Sequence, residues 1–254
     1  MQTKSGFTLL TVAELPAWLD KQPVGRAVTR VQLHHTWAPS YKHFDGANHF
    51  ARQQAMRDAH LARGFSDIAQ HFTIFPDGTI MTGRSLSKSP AGIVGANTGA
   101  VCIECFGNFD RGGDQMDARQ ADAIVQTVAA LCTRFALDPA RAITYHAWWT
   151  ADGQCLGDYS SAKSAKTCPG TAFFGGNTRA AYQKHLLPRI TAAMKGEDEM
   201  RVYTTLAELP AWAQPTFKKL IDCGVVAKDK AGKISVQESS LQPMVYLDRL
   251  GAIK

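Results

Sequence analysis

Apolar and polar positions alternate through "AVTRVQLHHTW" (residues 27–37), which predicts a strand with Val31, Leu33 and His35 on one face and Gln32, His34 and Thr36 on the other. The period then lengthens: "NHFARQQAMRDAHLARG" (48–64) predicts a helix closed by Gly64. In "QHFTIFPDGTIMTGR" (70–84) two β-favouring runs flank Pro76-Asp77-Gly78, the pattern of a hairpin. "GAVCIECFG" (99–107) predicts a buried strand with Val101, Ile103 and Cys105 on one side and Cys102, Glu104 and Phe106 on the other. The clearest helix is "DARQADAIVQTVAALCTRF" (117–135). Asp117 can cap it, Gln120 follows three residues later as in a capping box, and Ile124, Val125, Val128, Leu131, Cys132 and Phe135 recur at helical spacing. "AITYH" (142–146) predicts a short strand ending at His146. Strand, helix, hairpin, strand, helix, strand, helix is the order of an α/β fold: a mixed central β-sheet flanked by helices on both faces.

The pattern lapses at "MKGEDEMRVY" (194–203), a charged stretch that predicts a linker near Glu199, dividing the chain into residues 1–199 and a small helical module, 200–254. In the module, "WAQPTFKKLIDCGVV" predicts a helix with Pro215 in its first turn and Gly224 at its end, with Cys223 as a core residue; "ESSLQPMVYLDRLGAI" predicts a second helix. "TVAELPAW" (11–18) returns as "TLAELPAW" (205–212), either as a recurring way to start a helix or as a trace of shuffled pieces.

Composition narrows the class. A chain of 254 residues that is 45% hydrophobic and 20% charged supports one full core and a small appendage. Half of the +6 net charge falls in residues 201–254, so the module is the more basic per residue; a positive balance suits a polyanionic partner such as nucleic acid, a cell wall or a lipid surface. No basic helix or aromatic-basic sheet points to nucleic acid. No run approaches the ~20 apolar residues of a membrane span, and the first residues show no signal peptide. The six cysteines are scattered and predict no disulfide framework.

Five residues stand out chemically. Glu104 sits in an apolar strand, where a carboxylate is costly to bury; it is either ion-paired, for instance with Arg84, or a general base whose pKa is raised. His34 on the polar strand face, His146 at a strand end and Cys168 in the polar turn "SAKTCPG" form a set suited to zinc, with a fourth position left for water. Lys166, two residues before Cys168, supplies a positive charge. Cys155 is a rival to Cys168, and a thiol hydrolase using Cys168 and His146 is an alternative. Strand alternation sends Cys102 and Cys105 to opposite faces, so their spacing is not a metal pair. His71 is a candidate to orient a ligand.

The blocks "LHHTW", "SDIAQHFTIFPDGTIMTGR", "GANTGAVCIECFGNFD", "YHAWW" and "KTCPG", in that order, resemble the zinc-dependent N-acetylmuramoyl-L-alanine amidases, which include phage lysozyme-type amidases and peptidoglycan recognition proteins. The resemblance spans residues 30–170. It implies zinc held by His34, His146 and Cys168, Glu104 and Lys166 as catalytic groups, and scaffold roles for His60 and His71. His35, Trp37, Arg84 and Asn97 are the expected substrate contacts. Many members carry tyrosine where this chain has Gln70, so more of the work is expected of Glu104 and Lys166. The expected substrate is bacterial peptidoglycan or muropeptides, cut between the muramic acid lactyl group and L-alanine. A phage-type endolysin made in the cytoplasm and released to the wall is expected, the alternatives being a non-catalytic peptidoglycan-binding module and a cytoplasmic recycling amidase. The basic module is expected to target the wall, and the long stretch between His146 and Cys168 to form a rim over the cleft.

Overall fold

The computed structural model describes residues 1–196 and 202–253, and its contacts divide the chain into two compact units, Met1–Gly196 and Glu197–Lys254. The linker position inferred at Glu199 lies outside the described residues.

The first unit runs β1 (Gln2–Lys4), β2 (Phe7–Leu10), α1 (Leu15–Asp20), β3 (Arg30–His35), α2 (His49–Ala62), β4 (Phe72–Ile74), β5 (Ile80–Thr82), β6 (Ala100–Cys105), α3 (Ala118–Arg134), α4 (Pro139–Ala142), β7 (Ile143–Tyr145), α5 (Arg179–Ala181) and α6 (Leu187–Met194). A π-helical turn, Tyr182–Leu186, joins the last two. The strands form one mixed sheet in the order β1-β2-β5-β4-β6-β3-β7. β4, β6, β3 and β7 are parallel neighbours, whereas β1, β2 and β5 add as antiparallel partners. The β1–β2 hairpin was not foreseen; its signal is Ser5-Gly6, both with positive φ, a tight turn between Lys4 and its partner Phe7.

Alternation decides what each sheet face meets. Val31, Leu33, Val101, Ile103 and Cys105 join the main core with Ile124, Val128, Leu131 and Cys132 of α3 and Ile190 of α6. Each buried aliphatic side chain there contributes about 1.5–3 kcal/mol. The opposite face carries a smaller core of Phe7, Met56 of α2, Ile68, Phe75, Met81 and Phe106. Asp117 caps α3 through the Arg119 N–H, but Gln120 makes no capping box. It is buried, and its Nε2 donates to the carbonyls of Ile74 and Phe106 at 2.8 and 2.9 Å, bridging the ends of β4 and β6 beneath α3; the Ile74 carbonyl also accepts from the Phe106 N–H at 2.9 Å.

The second unit has its own core of Tyr203, Leu209, Phe217, Leu220, Ile234, Val236, Leu241 and Val245. Beside α7 (Gln214–Asp222) and α8 (Glu238–Arg249) it contains an unforeseen antiparallel pair, β8 (Val202–Tyr203) with β9 (Val236–Gln237). Cys223 is not core: it caps α7 and is exposed. The repeated phrase forms the same short turn twice, but only the first copy leads straight into a helix, α1; after the second, Leu209 is extended and α7 begins at Gln214. Each copy follows a strand and makes a 3-10 turn (Val12–Glu14, Leu206–Glu208), with the glutamate accepting from a threonine backbone N–H at 2.8 Å.

Candidate metal centre and cleft

Parallel pairing brings the candidate ligands together. β3 lies beside β7 with Leu33 opposite Tyr145, so the C-terminal strand ends place His34 and His146 next to each other. Their rings meet edge to face at 5.2 Å. Cys168 arrives from a returning loop: its carbonyl accepts from the Ala147 N–H at 2.7 Å, and its Sγ lies 3.4 Å from the His35 N–H and 3.4 Å from His34 Nδ1. Asp110 clamps this loop, accepting from Thr167 Oγ1 and Thr171 N–H at 3.0 Å each. Asn177 Nδ2 donates to the Thr167 carbonyl at 2.8 Å. Gly170 has φ +124, and a Cβ there would lie 2.4 Å from the Phe109 carbonyl group, so only glycine permits the approach. Asp110 escaped the sequence reading because its role depends on a loop 57 residues away and more, and Asn177 because its partner, 10 residues back, is set by the fold of that loop.

The ligand atoms of His34, His146 and Cys168 all lie within 4.8 Å of one another, and this is the three-ligand group found among the described residues. Cys155 is exposed in the rim loop and takes no part. Burial, then the charges around it, lower the pKa of His34 well below the ordinary histidine value; burial, then Lys166, lower that of His146 to about 4. Both imidazoles are therefore neutral, the state that ligates a metal. Burial raises the Cys168 thiol well above its usual range. Burial outweighs the lowering pull of Lys166, so this sulfur keeps its proton until a metal takes its place, and the donor set fits a metal ligand better than an activated nucleophile.

A residue missed in the sequence orients the first ligand. Gln32, two positions before His34 on the same strand face, puts Oε1 3.4 Å from His34 Nε2, while its Nε2 is fixed on the Ala96 carbonyl at 2.9 Å. That sets the His34 tautomer: Nε2 carries the hydrogen and Nδ1, on the Cys168 side, is the free donor atom. Gly92 closes over the pair; a Cβ there would sit 2.3 Å from Gln32 Oε1 and 2.9 Å from His34 Nε2. Gln32→Leu is therefore expected to weaken zinc affinity by about 10–100-fold, read by competition with a chromogenic chelator; unchanged affinity would remove the orienting role.

The cluster lies in a cleft of about 1100 Å³ that also takes in Glu104, Lys166, His35, Trp37, Gln70 and Asn97. Glu104 is the strand partner of His34, on the same sheet face. Burial raises its pKa to about 7, against the lowering pull of Lys166. Its suggested ion pair with Arg84 does not form. Arg84 is also outside the cleft, contrary to the expected substrate contact: its guanidinium donates to the carbonyls of Ile68, Ser89 and Asp67 at 2.7–3.1 Å. Asn97 spends its Oδ1 on the N–H groups of Gly92 and Ile93, shaping the cleft wall. His35 Nδ1 accepts from the Phe109 N–H at 3.1 Å, leaving hydrogen on Nε2. Trp37 is 60% exposed and holds φ +55, an unusual conformation for a bulky residue, pinned by its N–H on the Gly107 carbonyl at 2.9 Å. Gln70 is fully buried; Nε2 donates to Thr73 Oγ1 at 3.0 Å, and Oε1 has no partner. His71 is tied to the Cys102 N–H and the Lys88 carbonyl at 2.9 Å each, and His60 to the Ala69 N–H at 3.2 Å, so both brace backbone. Ala151 and the 165–168 segment line the cleft as the inferred rim.

The sequence profile of a family described as N-acetylmuramoyl-L-alanine amidase matches residues 24–171, more than half of the chain. No curated protein matches the sequence. Among solved structures, Drosophila PGRP-LB is similar at 23% identity, over 63% of this chain and 81% of that one, with a TM-score of 0.49. The N-acetylmuramoyl-L-alanine amidase LysC from Clostridium intestinale is similar at 21% identity over 59% and 82%, with a TM-score of 0.44. Drosophila PGRP-SD is similar at 21% identity over 66% and 90%, with a TM-score of 0.48.

Proposed function

Starting from the chain's membership of the N-acetylmuramoyl-L-alanine amidase family, we propose that it is a zinc-dependent enzyme that hydrolyses the amide between the lactyl group of N-acetylmuramic acid and L-alanine in peptidoglycan. The observation that carries this reading is the convergence of His34, His146 and Cys168 within 4.8 Å on the floor of an open cleft, beside a carboxyl group whose pKa is about 7.

In this reading His34, His146 and Cys168 hold the zinc ion. Bound there, zinc supplies Lewis acidity, polarising the amide carbonyl and acidifying a water molecule. Glu104 takes a proton from the attacking water as its oxygen bonds to the carbonyl carbon. The same carboxyl group then hands that proton to the departing alanine nitrogen as the carbon–nitrogen bond breaks. Lys166 is exposed on the cleft wall, and its charge acts on His34, His146, His35 and Glu104 alike. That places the ammonium group to offset negative charge developing on the carbonyl oxygen. The His35 Nε2–H is a neutral donor on the same wall.

The test is a digest of purified sacculi by the zinc-loaded protein, scored for newly exposed L-alanine amino groups. Alanine amines without new reducing sugar ends are expected. Sacculi that are bound but uncut would instead favour a peptidoglycan-binding module.

A further inference from the structure

Glu104 carries the proton in the proposed reaction, yet among the described residues its carboxyl group has no hydrogen-bond partner; burial and the charge of Lys166 are what act on it. A carboxylate that must ionise in a buried setting is short of a donor. The register of the sheet shows where one stands. Glu104 lies between His34 of β3 and Thr73 of β4, in a lateral row that Met81 of β5 continues. Neighbouring strands are about 4.8 Å apart. At that spacing a carboxyl group two carbons beyond its Cβ reaches a hydroxyl on the adjoining Cβ.

Thr73 is out of character for its position. It is fully buried, and its strand partner on the other side, Met81, belongs to the small apolar core. Valine would fill the same volume with no hydroxyl to satisfy. The hydroxyl is held from one side instead: Gln70 Nε2 donates to Thr73 Oγ1 at 3.0 Å. The Gln70 amide is fixed in that orientation, because Nε2 also points at Met56 Sδ, 4.0 Å away, and a thioether has no hydrogen to offer an oxygen in that place. Gln70 thus fills one acceptor position on Oγ1 and leaves the hydroxyl hydrogen free. Among the described residues that hydrogen has no acceptor, and a buried hydroxyl needs one.

We propose that Thr73, its hydroxyl oriented by Gln70, donates a hydrogen bond to the ionised Glu104 carboxylate and so aims it at the attacking water. Gln70 and Thr73 are positioning residues, acting through Glu104 rather than on the substrate. This rests on the amidase reading for the proton transfer, though not for the hydrogen bond itself.

The experiment uses the zinc-loaded full chain. Thr73→Val removes the donor at constant volume and is expected to lower kcat on a muramoyl peptide by about 10–100-fold, the worth of one hydrogen bond to a charged group, with KM little changed. Thr73→Ser keeps the hydroxyl and should recover most of that loss. Because Thr73→Val leaves the Gln70 amide without its acceptor, Gln70→Leu/Thr73→Val removes both partners together, the change a buried pair tolerates best. The double variant should unfold close to the wild-type midpoint and turn over no more slowly than Thr73→Val alone. Wild-type kcat in folded Thr73→Val, Thr73→Ser no better than Thr73→Val, or a KM effect without a kcat effect overturns the proposal. A spectrum that needs no turnover separates the two readings: the infrared carboxylate stretch of Glu104, isolated with isotope-labelled glutamate as the difference from Glu104→Gln in alkaline buffer. A band that moves in Thr73→Val and returns in Thr73→Ser leaves the hydrogen bond standing even if peptidoglycan is uncut. Cleavage with both the band and kcat unmoved by Thr73→Val keeps the amidase and removes the hydrogen bond.

Discussion

Cys168→Ala is expected to lose its bound zinc and at least three orders of magnitude in kcat/KM, about 4 kcal/mol of transition-state stabilisation. The argument is electrostatic. Cys168 is 5% exposed, and burial disfavours its thiolate. A divalent ion reverses that preference, so zinc binding should release a proton and weaken as pH falls. Removing the sulfur leaves two neutral imidazoles, too few donors to hold zinc tightly. Metal analysis of the purified variant checks the first half of the expectation, and muropeptide turnover the second. One rival shares part of the geometry: Cys168 Sγ, His34 Nδ1 and Gln32 Oε1 are aligned at 3.4 Å steps, as in a thiol nucleophile with base and orienter. That rival would survive chelation. A chelated protein with full activity, lost only on thiol alkylation, would sink the metal site; activity lost on chelation and regained with zinc supports it.

Glu104→Gln is expected to retain zinc yet lower kcat by about 10²–10⁴-fold, the usual loss on removing a general base. The amide fills the same volume but cannot accept the proton. Lys166→Met should also lower kcat by about 10²–10³-fold, as for loss of an oxyanion donor, and move the pH profile's acid limb upward, because the lysine's lowering pull on the Glu104 carboxyl is lost. The sign of that limb follows from the mechanism. Glu104 must be ionised to act, so kcat/KM should rise with pH through its pKa. Burial places that pKa at about 7 in the metal-free chain. A neighbouring dication favours the carboxylate, so the limb should fall at or below that value in the zinc-loaded enzyme. A limb unchanged in Glu104→Gln would transfer the base role to another group.

Much of this was legible without coordinates. The alternation in residues 30–36 and 100–106 separated most positions correctly: Val31, Leu33 and Ile103 reach the core, while His34 and Glu104 reach the cleft; His35, at the strand end, was read with the core face and lines the cleft as well. Cys132 fell on the apolar stripe of α3 and is buried. Such local periodicities report directly on burial. The misses have a different character. Gln120 read as a cap residue and became a bridge to two strand ends; Arg84 read as a substrate or Glu104 partner and became a brace for backbone carbonyls; Cys223 read as core and stands exposed. In each case distant acceptors or solvent decided, and neither has a signature in the neighbouring residues.

The sequence by itself determined the strand and helix periods, the turn residues and the ordered blocks that mark the family, because backbone sterics and side-chain burial act over a few residues. Only the tertiary structure decided that a strand end, a 3-10 turn and a returning loop bring two imidazoles and a sulfur within 4.8 Å. The same packing made Gln32 the orienter of His34 and Asp110 the clamp of the cysteine loop. These follow from parallel strand register and loop closure, long-range constraints that no short stretch of sequence carries.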